Sequence, residues 1–107
     1  MSGKGIRKIL GDFRESVKQL YGDRLKDIVL YGSWARGEAT DESDIDLIVI
    51  LAGKVIPGKE IDRMIDVITD VNLRHDTLLS VYPVSEKDYR TVNSPLLMNA
   101  RREGIRA

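Results

Sequence analysis

The chain has 107 residues with 17 basic and 17 acidic side chains, so its formal net charge is zero and no overall basicity argues for a nucleic acid as its main partner. It has no cysteine, which excludes disulfides, cysteine-ligated zinc and thiol catalysis and fits a cytoplasmic protein. The length suits one domain over residues 1–107 with a modest core; no apolar run is long enough to cross a membrane, and the N-terminus lacks a signal-peptide core.

Ile6, Ile9, Leu10, Phe13, Val17 and Leu20 recur at helical spacing before Tyr21-Gly22-Asp23, which predicts an opening amphipathic helix whose apolar stripe needs a sheet to cover. Leu25–Tyr31, with Ile28-Val29-Leu30-Tyr31, reads as a buried strand that turns at Gly32-Ser33 into the start of a short helix, Ser33–Arg36. Ile45–Leu51 is apolar on both faces, as in a strand covered on both sides. Residues 53–58, with Pro57, predict a loop, and Ile61, Met64, Ile65 and Ile68 mark a helix running to about Arg74. A third strand is expected over residues 77–82. Ser85-Glu86-Lys87-Asp88 and Ser94-Pro95 then read as the starts of short terminal helices.

A strand, helix, strand run of this length implies a parallel pair joined by a right-handed crossover, which brings Asp76 beside Asp44 and Asp46. The first strand finishes where the second begins and should run antiparallel to it. The expected class is therefore α+β, a small mixed sheet packed with helices.

Chemistry concentrates in Gly32-Ser33, followed after ten residues by Asp44-Ile45-Asp46. Glycine lets the backbone come close to an anion, and unpaired N–H groups of a following helix with the serine hydroxyl can face it, which makes a phosphate seat. Strand alternation puts Asp44 and Asp46 on one face, roughly 6.5–7 Å apart at the backbone, so that they can converge on one ion or on two. Two metals about 3.5–4 Å apart are a known arrangement for in-line displacement at phosphorus, and magnesium takes oxygen ligands while keeping waters and substrate phosphates. Asp46 stands in an apolar run with no local cation, which an ordinary strand aspartate does not. Gly32-Ser33 alone would be a tight turn; its spacing to the aspartates makes it more. Asp76 is either a third carboxylate or a polar turn residue. Arg36 either reaches a phosphate or pairs with Glu38 or Asp41. His75 reads as a surface loop residue, Trp34 as packing beneath the turn, and Leu96-Leu97-Met98 as core or partner surface.

The run Leu30-Tyr31-Gly32-Ser33-Trp34-Ala35-Arg36-Gly37-Glu38-Ala39, with Ser43-Asp44-Ile45-Asp46-Leu47-Ile48-Val49, resembles the minimal nucleotidyltransferases of the DNA polymerase β-like superfamily. The resemblance implies a polymerase β-like palm fold, with Gly32 and Ser33 holding the terminal phosphates of the nucleotide and Asp44 and Asp46 binding two magnesium ions; Arg36 joins the candidate nucleotide-binding residues on the chemistry of its guanidinium. The resemblance also implies that Asp76 is the third carboxylate, holding the catalytic metal. The tail, residues 94–105, is similar to those of stand-alone domains that act as antitoxins. That likeness implies AMP transfer from ATP to a tyrosine hydroxyl of a helical HEPN-type toxin. Two rival classes are a non-catalytic module that inhibits a partner by docking and a metal-dependent phosphohydrolase or nuclease. The last leaves the Gly-Ser turn without a role.

Overall fold

The computed structural model describes residues 5–107. Helix α1, Ile6–Tyr21, buries Ile9, Phe13, Val17 and Tyr21, spaced four apart so that they share one stripe, and it stops at Gly22, whose φ of 57° suits glycine. A 3₁₀ turn, Gly22–Arg24, leads into strand β1, Leu25–Tyr31. The short helix α2, Ser33–Arg36, strand β2, Ile45–Leu51, and helix α3, Pro57–His75, follow. Strand β3 is Leu79–Ser85, helices α4 and α5 are Glu86–Thr91 and Pro95–Glu103, and strand β4 is Ile105–Arg106.

The sheet order is β3-β2-β1-β4; β1 is antiparallel to both its neighbours and β2 is parallel to β3. The expected mixed sheet of an α+β fold is what forms. Successive strand residues point to opposite faces, and each face has its own cover. Ile28, Leu30, Ile45, Leu47, Val49, Leu51 and Leu79 pack against α1 and α3. Val29, Ile48, Ile50 and Val84 pack against Leu97 and Ala100 of α5, with Tyr89 of α4 beside them. Between α1 and α3, buried Tyr21 donates its hydroxyl to Glu60 at 2.8 Å, which supplies the partner that a buried carboxylate needs.

Three boundaries differ from the expectation. Helix α3 begins at Pro57, because proline lacks only an N–H that a first helical position would leave unpaired, so the loop ends earlier than residue 58. The third strand covers Leu79–Ser85 instead of residues 77–82. Asp76 closes α3 in the left-handed region at φ 49°, the Thr77 N–H still donates to Asn72 O, and the Asn72 side chain accepts from Leu79 N–H at 2.9 Å, so the helix cap consumes the intervening residues. Pro83 is tolerated because β3 is an edge strand. Strand β4, two residues long, carries no periodic signal and was not expected.

Candidate active site

The alternation that buries Ile45 and Leu47 against α1 and α3 sends Asp46 to the other face, in line with Ile48 and Ile50. Helices α4 and α5 cover the isoleucines, and at Asp46 the cover thins. Register sets Tyr31 beside Asp46 on β1 and Ser80 beside it on β3. Asp44 lies exposed just before β2 begins. Burial, and then the charge of Asp44, push the Asp46 carboxyl above its ordinary pKa, while Arg36 opposes them.

Gly32 meets this carboxylate directly. Its φ of 74° and ψ of −154° are open to glycine, and a Cβ built there would overlap Asp46 Oδ2. The Gly32 carbonyl accepts the N–H groups of Ala35 and Arg36, each at 3.1 Å, which starts α2 immediately after the turn. Trp34 packs against the α1/α3 core, as expected, and its Nε1 donates to Ser43 O at 3.3 Å, tying the approach to Asp44 back onto α2. Arg36 takes the pairing that leaves Asp41 out: Nε donates to Glu38 at 2.9 Å and Nη1 to Glu103 Oε2 at 3.0 Å. That same Glu103 oxygen accepts the Gly32 N–H at 3.1 Å. Nothing local in the sequence points to Glu103, which is 67 positions from Arg36.

The structure thus brings Gly32, Ser33, Arg36, Asp44 and Asp46 to one sheet edge. Asp76 closes α3, which covers the opposite face of the sheet, and the β3 residue level with Asp46 is Ser80, while Ile45 N–H bonds to Leu78 O. The physical reason is the helix cap, which delays the strand. Among the described residues no group of three or more His, Cys, Asp or Glu side chains could hold a metal. Asp44 and Asp46 offer hard oxygen donors, one carboxyl being half-buried and raised in pKa by burial and then by its like-charged neighbour, and such a pair could hold a divalent cation whose shell is completed by water and phosphate. His75 is corrected. It sits between helices, where Nε2 meets Asp12 Oδ2 of α1 at 2.8 Å, and this bond holds the Asp12 carboxyl below its ordinary pKa.

A cleft of about 630 Å³ lies toward the other end of the same face, lined by Lys26, Tyr89, Arg90, Arg101 and Arg106 among others, and touches none of the motif residues. Two of its three guanidinium groups are committed internally: Arg101 donates to Tyr89 O, Val92 O and Asn93, and Arg106 pairs with Asp27.

Residues 10–100 match the family described as the nucleotidyltransferase domain. The chain belongs to this family. Two Methanocaldococcus jannaschii proteins named provisionally as protein adenylyltransferases are similar to this nucleotidyltransferase domain. One is 37% identical over 91 residues, covering 82% of this chain and 60% of its own. The other is 33% identical over 98 residues, covering 91% and 92%. The chain therefore spans less than two thirds of the first relative and nearly all of the second. Among solved structures, the MntA–HpeT toxin–antitoxin pair in a mutant form superposes with a TM-score of 0.63 at 17% identity, covering 94% of this chain and 69% of that one. A protein named provisionally as a minimal nucleotidyltransferase gives a TM-score of 0.60 at 21% identity, covering 94% and 90%. At those identities the likeness establishes the fold, the minimal nucleotidyltransferase fold. Among the described residues no helix is long and apolar enough to cross a membrane.

Proposed function

We propose that residues 1–107 act as one catalytic unit that transfers AMP from ATP to a hydroxyl on a partner protein, with magnesium held by Asp44 and Asp46. The observation that carries this reading is the contact at Gly32: the turn approaches Asp46 so closely that no side chain fits between them, so an anion seated on the turn lies beside the carboxylate pair. Gly32 and the Ser33 hydroxyl seat the terminal phosphates. Arg36 uses two N–H donors on Glu38 and Glu103 and keeps the rest of its guanidinium for phosphate oxygens. When bound, one or two magnesium ions would neutralise the triphosphate and the charge that grows on the leaving oxygen.

The acceptor oxygen bonds to the α-phosphorus, the bond to the β-phosphate oxygen breaks, and pyrophosphate leaves from the Gly32 end. The hydroxyl proton passes to water at the exposed Asp44 side. Asp46, half-buried, supplies a fixed negative charge in a partly dry setting, where it holds a cation more tightly than a fully solvated carboxylate would. The names of the relatives support a protein acceptor, and the toxin–antitoxin neighbour supports a toxin-like partner; our reading takes that partner to be a cytoplasmic protein of the helical HEPN type, silenced by modification of a tyrosine hydroxyl. Incubation with α-labelled ATP, magnesium and the product of the adjacent gene should label that partner, and γ-labelled ATP should not. No transfer by the native chain, or transfer retained in Asp44→Ala or Asp46→Ala, would contradict the reading.

One observation favours a second reading, inhibition of the partner by nucleotide-dependent docking without transfer: no third carboxylate joins the pair among the described residues. The same assay separates the two, because docking protects the partner without labelling it.

A further inference from the structure

Helix α5 is seated with unusual closeness at its C-terminal end. Ser94 caps its start by accepting from Leu97 N–H at 3.2 Å, and Leu97 and Ala100 are buried on the sheet. At Gly104 an added Cβ would collide with Ala100 O and Val29 Cγ1, so the absent side chain is what lets the helix end lie on β1. Ile105 and Arg106 then pair with Leu30 and Val29. The backbone on both sides of Glu103 is thereby pinned beside the end of β1, where the Gly-Ser turn begins.

From that pinned position a single oxygen, Glu103 Oε2, accepts both the Gly32 N–H at 3.1 Å and Arg36 Nη1 at 3.0 Å. The side chain is 20% exposed, and Glu38 holds the Nε of the same guanidinium. We propose that Glu103 is a positioning residue for the nucleotide phosphates, a fixed bracket that sets the peptide plane of Gly32 and the orientation of Arg36 before the nucleotide arrives. This inference rests on the phosphate-seat reading above.

The bracket differs from a plug that a phosphate would displace. Of the five N–H donors of a guanidinium, one goes to Glu38 and one to Glu103, so the others stay open to a ligand. A plug would also need a mobile support, whereas helix packing on one side and strand pairing on the other hold this carboxylate. Preorganised donors bind with less ordering at the moment of contact, so the bracket tightens nucleotide binding even though it adds negative charge near the seat.

Glu103→Ala and Glu103→Gln separate the possibilities, because the glutamine carbonyl oxygen can accept both N–H groups while lacking the charge. The first readout is hydrogen exchange of the Gly32 amide by NMR, which needs no nucleotide. Exchange should quicken roughly 10-fold or more in Glu103→Ala and stay within about 3-fold of the native rate in Glu103→Gln, as loss of a hydrogen bond to a charged group implies. The second is titration with a non-hydrolysable ATP analogue and magnesium. Its Kd, and the KM for ATP, should rise on the order of 10-fold in Glu103→Ala, with kcat changed less, and return toward native values in Glu103→Gln. Native exchange at Gly32 in Glu103→Ala, or analogue binding as tight as native or tighter, overturns the role of Glu103. Failure of the native protein to bind the analogue at all overturns the phosphate-seat reading and the nucleotide part of this proposal with it, while the exchange result still reports whether the bracket exists.

Discussion

Asp46 and Leu47 are neighbours on β2 and have opposite surroundings. Leu47 faces α1 and α3, two long helices that cover their side of the sheet from Ile45 to Leu51. Asp46 faces the layer of α4 and α5, six and nine residues long, which seals Ile48 and Ile50 and stops short of the strand's first turn of side chains. A site can form on a small sheet where one layer is incomplete: the closed face buries the larger apolar cluster, and the half-covered face leaves one end free for polar side chains. Tyr31, Asp46, Ser80 and the Gly32 turn gather in that gap.

The largest effect is expected on the open face. Asp46→Asn should lower AMP transfer by at least about 10³-fold, on the order of 4 kcal/mol in the barrier. Its stability should move the other way. Because the folded carboxyl pKa is raised, ionisation opposes folding: the stability Asp46 contributes is present below the unfolded carboxylate value and lost as pH rises through the folded one. At neutral pH without metal, Asp46→Asn should therefore melt at or above the native temperature, and the gap should close in acid. Magnesium should raise the melting temperature of the native protein only. A lower melting temperature for the variant at neutral pH would show that the carboxylate is a structural group.

On the closed face, Leu47→Ala removes a fully buried side chain and should destabilise by about 2–5 kcal/mol in urea denaturation. Transfer at temperatures where the variant stays folded should be near native. Gly32→Ala tests the seam between the two regions. The positive φ and the overlap with Asp46 should destabilise by roughly 1–3 kcal/mol and lower transfer more than Leu47→Ala does. The smallest effect is expected far from the gap. Asp12→Asn weakens the contact with His75 and should lower the melting temperature at neutral pH. With the folded pKa depressed, that stability exists above the unfolded carboxylate value and disappears as pH falls through the folded one, so the two melting curves should merge in strong acid.

How much of this was legible beforehand follows the same division. The long helices and central strands announce themselves by periodicity, and the antiparallel and parallel pairings follow from loop lengths. The Gly-Ser turn and the aspartate pair are readable because turn and strand chemistry act over a few residues. The placement of Asp76 was less legible because it depends on where α3 stops, and a left-handed cap at an aspartate with an Asn72 side-chain bond to Leu79 leaves no periodic trace. Glu103 was invisible for a different reason: its partners lie some seventy positions earlier, and the packing of Gly104 on Val29 with the pairing of β4 on β1 brings them together. Contacts made across the whole chain by a two-residue strand are beyond any local pattern.

The central claim is that the turn at Gly32 and the carboxylates of Asp44 and Asp46 form one site for a metal-bound triphosphate. Calorimetric titration of the native protein, Asp44→Ala and Asp46→Ala with a non-hydrolysable ATP analogue, with and without magnesium, tests it most directly. The account predicts saturable binding by the native protein that requires magnesium and is lost in both variants. Binding of equal strength in all three proteins, or binding indifferent to magnesium, would contradict it.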